Sequence, residues 1–88
     1  MEHYIIVAPV EGWKSFPVFV LDDLAVHLEA IVKLLIESGA EMVYGYGEDS
    51  PYCAMAGPYS AVEGETALDR VGELADTRLV QFVHCELR

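Results

Sequence analysis

Eighty-eight residues, 53% of them hydrophobic, with fifteen acids against five bases, describe one folding unit with a formal net charge of −10. A chain of this length buries about 60–65% of its unfolded surface, enough for one small core, so residues 1–88 are read as a single domain. The charge argues against direct nucleic-acid binding and against an anionic membrane surface, both of which would repel it, and no apolar run reaches the ~20 residues that cross a bilayer.

The first element in the chain is a β-rich apolar run, HYIIVAPV over residues 3–10, closed by Pro9 and Gly12. After a turn at EGWKS comes FPVFVL, residues 16–21, a second run of strand type in which Pro17 is tolerable near the start. Asp22 and Asp23 follow, placed to cap the free N–H groups of a helix and to meet its positive dipole end. That helix is the clearest element. Leu24, Leu28, Ile31 and Leu35 recur at intervals of four, three and four, while Ala25, Val32 and Ile36 widen the stripe. The spacing predicts a helix over 23–38, ended by Gly39 as a left-handed cap.

EMVYGYG, residues 41–47, reads as a third strand covered on both faces. Residues 47–60 read as a long loop rich in glycine, proline and tyrosine, of the kind that is often functional in a compact domain. EGETALDRVGELAD, residues 63–76, reads as a weaker helix with Thr66 and Asp69 as a capping pair and Gly72 inside it at a cost of about 1 kcal/mol; SAVE, residues 60–63, offers a competing start. TRLVQFVHCEL, residues 77–87, is the last strand. Two helical crossovers then imply a small Rossmann-like α/β domain of about four mainly parallel strands and two helices, with a ferredoxin-like arrangement as the alternative.

In a parallel sheet, ligands collect beyond the carboxyl ends of the strands. That rule would gather Glu11, Trp13, Asp22, Asp23, Tyr46, Glu48, Asp49, His84 and Glu86 under the long loop. GYGEDS has the glycines of a phosphate cradle but no lysine, and its acids would repel a phosphate. Cys53 and His84, with Asp49 or Glu86 to orient the imidazole, have the constitution of a cysteine–histidine–acid triad without any motif around the nucleophile. His3, His27 and His84 lack the close spacing of a structural metal site, so neither a metal nor a cofactor is expected.

Aromatic residues among acids suit capture of a basic protein surface. The expected partner-binding set is Trp13, Asp22, Asp23, Tyr46, Glu48, Asp49, Tyr52, Tyr59 and Glu86. The sequence therefore points to an acidic, non-enzymatic protein-binding module that neutralises a basic protein partner. Two alternatives stand beside it: a small enzyme using Cys53 and His84, and a small-molecule sensor with its pocket under loop 47–60. In size and acidity the chain resembles toxin-immunity proteins and phage-encoded inhibitors of defence complexes; the likeness is one of composition and transfers no residues. Homodimer formation is compatible with these features. The first residues, MEHYIIVAPVEG, lack the basic start of a secretory signal, which makes the cytoplasm the expected location.

Overall fold

The structure, a computed structural model, describes residues 2–45 and 52–87, with the side chains of Tyr44 and Leu87 also outside the description. Four strands and two helices follow one another as β1 (Glu2–Pro9), α1 (Val18–Glu37), β2 (Met42–Gly45), β3 (Ala54–Tyr59), α2 (Ala61–Leu74) and β4 (Val80–Leu87), with a 3₁₀ turn at Trp13–Ser15. The strands form one sheet in the order β2-β3-β1-β4. Every neighbouring pair is antiparallel. The expected Rossmann-like sheet of mainly parallel strands is therefore overturned. In its place stands the β-α-β-β-α-β pattern of two split β-α-β units, the ferredoxin-like arrangement. No helix among the described residues is long and apolar enough to cross a membrane.

Two local events redirect the topology. Residues 16–21 do not form a strand: Pro17 stands at the helix N-cap and Val18 begins α1. A proline there supplies a preset φ and has no N–H to leave unpaired. The apolar run FPVFVL extends the helical stripe backwards, although Val18 and Phe19 themselves are 74% and 69% exposed. Asp22 and Asp23 consequently lie inside the helix, and α1 has no side-chain cap and no acid in its first turn. The second event is β3, which occupies the latter half of the expected loop. Ala54–Tyr59 pairs with β1 through Val7↔Ala54, Ile5↔Ala56 and His3↔Tyr59, with a register shift between His3 and Ile5. Gly57 and Pro58, which read as loop residues, sit at that irregularity. Gly57 is required there. It has a φ of 155°, and a Cβ on it would lie 2.6 Å from the Tyr4 ring and 2.8 Å from the His3 carbonyl oxygen.

The end of α1 and the start of α2 follow local sequence signals. Gly39, with a φ of 103°, closes α1: its N–H donates to the Ile36 carbonyl at 3.1 Å and that of Ala40 to Leu35 at 3.3 Å, the paired bonds of a Schellman cap. At α2 the competing start prevails. The Ser60 hydroxyl accepts from the Glu63 N–H at 3.2 Å, and the Glu63 carboxylate accepts from the Ser60 N–H at 3.1 Å. This reciprocal capping box also holds the Glu63 carboxyl below its ordinary range, first through the Ser60 backbone bond.

Side-chain alternation divides the sheet into two faces. The odd positions of β1, with Ala54 and Ala56 of β3 and Val80 and Phe82 of β4, meet the helices. Ile5, Val7, Leu24, Leu28, Ile31, Leu35, Ala67 and Val71 are buried in that layer, as the α1 periodicity required. Tyr59 joins them: it is 3% exposed, and its hydroxyl donates to the Leu35 carbonyl at 2.8 Å. The opposite face carries Tyr4, Ile6 and Ala8 of β1, Met55 of β3, Met42 of β2, and Gln81, Val83 and Cys85 of β4.

Candidate functional site

Antiparallel pairing separates the residues that a parallel sheet would have gathered. β1 runs toward Trp13, whereas β4 runs back the other way, so Glu86 lies opposite His3 and His84 opposite Ile5. The aromatic turn after β1 and the His84–Glu86 segment thus occupy opposite ends of the sheet. Cys53 directly precedes Ala54, the partner of Val7, on the far side of β1 from β4. Two strand spacings and roughly three residues along the strand put the Cys53 and His84 backbones more than ~10 Å apart. The structure does not assemble the cysteine–histidine pair. Tyr46, Glu48 and Asp49 lie outside the described residues, as does the part of the loop under which a sensor pocket was expected.

His84 has a different neighbour. Its Nε2 lies 2.9 Å from Nδ1 of His3, and the two rings stack at 5.0 Å with 18° between their planes. One nitrogen must donate and the other accept. Glu86 approaches His3 Nδ1 at 3.8 Å. His3 is buried, so this polar pair is satisfied by its partner instead of by water. Among the described residues, no group of three or more histidine, cysteine or acidic side chains is placed to hold a metal ion. Sequence reading missed the histidine pair because the residues are 81 positions apart. Only the pairing of the first and last strands brings them together.

At the other end, two of the expected residues, Trp13 and Tyr52, are in contact, and a third, Asp23, lines a groove. The 3₁₀ turn presents Trp13, whose ring meets Tyr52 edge-to-face at 5.2 Å; the Lys14 ammonium lies 5.8 Å from the Trp13 ring centre. The chain then turns through Phe16 and Pro17 into α1, whose early turns carry Val20 and Asp23. Asp76, Arg78 and Leu79 on the approach to β4 complete a groove of about 310 Å³ lined by Phe16, Val20, Asp23, Asp76, Arg78 and Leu79. Its floor is apolar, from Phe16, Val20 and Leu79, and its rim is charged.

The rim is fixed by hydrogen bonds from two elements. The Asp76 N–H donates to Nε2 of His27 at 2.8 Å, tying the β4 approach to α1. The Asp76 carboxylate accepts from the Arg78 N–H at 3.0 Å, Nε at 3.1 Å and Nη2 at 2.9 Å. Those bonds hold the Asp76 carboxyl below its ordinary range and push the Arg78 guanidinium up. Asp76 and Arg78 thereby neutralise one another. Asp23, exposed, has no hydrogen-bond or ion-pair partner for its carboxylate among the described residues, and Asp22 beside it is exposed as well. The rim is left with net negative charge next to an apolar floor. That combination can take a side chain with an apolar stem and a cationic head.

Of the expected partner-binding set, Trp13, Tyr52, Asp22 and Asp23 are placed at or beside this end, Tyr59 is buried in the core, and Glu86 is at the far end. Phe16, Val20, Asp76, Arg78 and Leu79 were not singled out from the sequence. Reading FPVFVL as the start of a helix would have brought Phe16 and Val20 beside Asp23. No family model matches the chain, and neither a curated protein nor a solved structure matches it.

Proposed function

We propose that the protein is a non-enzymatic binding module that captures a basic protein partner, with the groove between the α1 start and the β4 approach as its seat. The observation that carries this reading is the juxtaposition of the Phe16–Val20–Leu79 floor with the uncommitted Asp23 carboxylate. The net charge of −10 adds long-range steering toward a cationic surface. Trp13 and Tyr52, packed against each other at the same end of the sheet, offer aromatic anchors. Neutralisation of a basic effector, in the manner of an immunity protein, is the role this chemistry fits, and a cytoplasmic location is part of the proposal.

A titration read by amide chemical shifts tests the reading, with an amphipathic leucine–lysine peptide as the probe. Shifts should concentrate at Phe16, Val20, Asp23 and residues 76–79 and should weaken as salt rises. Asp23→Lys should weaken binding more than Asp69→Lys, a change of equal charge on the outer surface of α2. Equal losses in the two variants, or shifts spread evenly over both helices, would mean that the probe reads net charge alone and would remove the groove from the proposal.

A further inference from the structure

One wall of the groove, on the β4 approach, is organised by Asp76. Its carbonyl accepts from the Leu79 N–H at 2.9 Å and the Val80 N–H at 3.0 Å, and its carboxylate holds the Arg78 guanidinium. Asp76 thus sets the places of Arg78 and Leu79, which line that wall with it. Its own N–H donates at 2.8 Å to Nε2 of His27 on α1, the helix that brings Val20 and Asp23 to the opposite wall. A backbone amide can only donate, so Nε2 accepts and the ring carries its proton on Nδ1. A doubly protonated imidazole has no acceptor, and the bond between the walls exists only while His27 is neutral.

His27 is half-buried. The charged groups that face it come from both walls. Asp23 stands one helical turn earlier on the same side of α1. The Asp76 carboxylate is near enough for the two charges to interact. Arg78 is already bound to that carboxylate. From α2, the last-turn acid is Glu73, which is exposed. His3 and His84 pair with each other at the far end of the sheet.

We infer that His27 is a proton-operated clasp on the groove. As the neutral ring it ties the Asp76 wall to α1 and leaves the Asp23 charge free for a basic partner. As the cation it releases the Asp76 N–H and offsets the Asp23 charge, and the partner is let go. Both consequences act in the same direction. Asp76 and Arg78 cancel one another, so the rim's net charge rests on Asp23 and falls to zero when His27 gains a proton. Imidazole is the side chain whose ordinary charge change lies between about pH 5 and 8, a range in which carboxylates ordinarily stay ionised. The inference deepens the reading of the groove as the seat of a basic partner and rests on it.

Nitrogen-15 spectra of the histidine rings and amide shifts, followed from about pH 7.5 to pH 5.5 on the free protein, test the clasp without any ligand. His27 should be the Nδ1–H tautomer at the upper pH, and the Asp76, Arg78 and Leu79 amides should move in step with its proton uptake. The leucine–lysine peptide, whose lysines keep their charge throughout, then tests the release. It should bind the wild-type chain at least fivefold more weakly at the lower pH. In His27→Gln, where an amide oxygen can still accept the Asp76 N–H but cannot titrate, binding should stay within about twofold. An Nε2–H tautomer, or Asp76–Leu79 amides that ignore the His27 titration, would overturn the clasp, and neither measurement depends on a variant that must fold. Equal pH dependence in wild type and His27→Gln would overturn the release. A peptide that fails to bind at either pH, with amides that still follow His27, would remove the partner reading and the release together and leave the clasp standing.

Discussion

The helical layer and the outer sheet face are built from the same short chain, yet they handle charge in opposite ways. On α1, Asp22, Asp23, Glu29 and Glu37 are exposed; on α2, Glu63, Glu65, Asp69 and Glu73 are. Lys33 and Arg70 are the bases exposed on those helices. Among the described side chains, the outer sheet face has one acid at its corner and is otherwise apolar or neutral. The difference follows from the shapes of the two kinds of element. A helix can bury one stripe and keep a broad polar arc, so the two helices absorb most of the acids. A strand has only two faces, and here neither one is given over to charge.

The strongest way to break this comparison is to cut an apolar side chain on each side of β1. Ile5→Ala, in the helix-covered layer, should cost about 2–5 kcal/mol, whereas Val83→Ala on the outer face should cost about 0.5 kcal/mol or less. Urea unfolding at low protein concentration measures both. Equal losses would mean that the outer face is a second core and not an open surface. Gly57→Ala tests the one position where the outer face packs tightly around backbone; the clash with Tyr4 and the strained φ should cost about 1–3 kcal/mol on the same assay.

How far the sequence carried these assignments depends on the kind of signal. The α1 stripe was legible because Leu24, Leu28, Ile31 and Leu35 are bound to one face by the helical repeat, a local rule. Its end was legible in Gly39, within a residue or two of where the helix stops. Its start was not, because Val18, Phe19 and Val20 are β-branched or aromatic and the local preference favours a strand; tertiary burial of the later turns decided otherwise. β3 was hidden for the converse reason. AMAGPY has poor strand propensity, and its glycine reads as a loop until the Tyr4 ring is seen lying against it. With one false strand and one missed strand, the inferred direction of the sheet was wrong. The site read from it was scattered, and the groove, assembled from two segments more than fifty positions apart, could not be read from either segment alone.

Smaller effects sharpen the picture of the helical layer. Ser60→Ala removes the α2 cap and should lower stability by about 0.5–2 kcal/mol, seen as a shift of the urea midpoint at constant slope. Tyr59 supplies a pH signature. Burial, with the nearby Glu63 charge second, pushes its phenol up from 10.0 to about 12. The folded state therefore keeps the proton that the unfolded state gives up first. The stabilising contribution is complete below about pH 10 and is lost as pH rises toward about 12. Tyr59→Phe should flatten that decline when midpoints are compared between pH 9 and 12, and an unchanged slope would show that another group governs it. The smallest effect belongs to the groove rim. Asp23→Lys should leave stability within about 0.5 kcal/mol while weakening capture of a basic probe, a split that separates a binding residue from a structural one.

The strand order also bears on how the chain is made in a cell. β1 emerges first and lies in the middle of the sheet, but both of its hydrogen-bonding neighbours, β3 and β4, come from the second half of the chain. A ribosome that has released residues 2–74 has delivered both helices and still left one edge of β1 bare along its whole length. Nascent chains in that state carry an apolar strand with unpaired backbone groups, the kind of template on which neighbouring chains pair. The eight residues of β4 must dock before that edge is sealed, so a chain cut short before Val80 contains both helical segments and still leaves the edge of β1 without its partner.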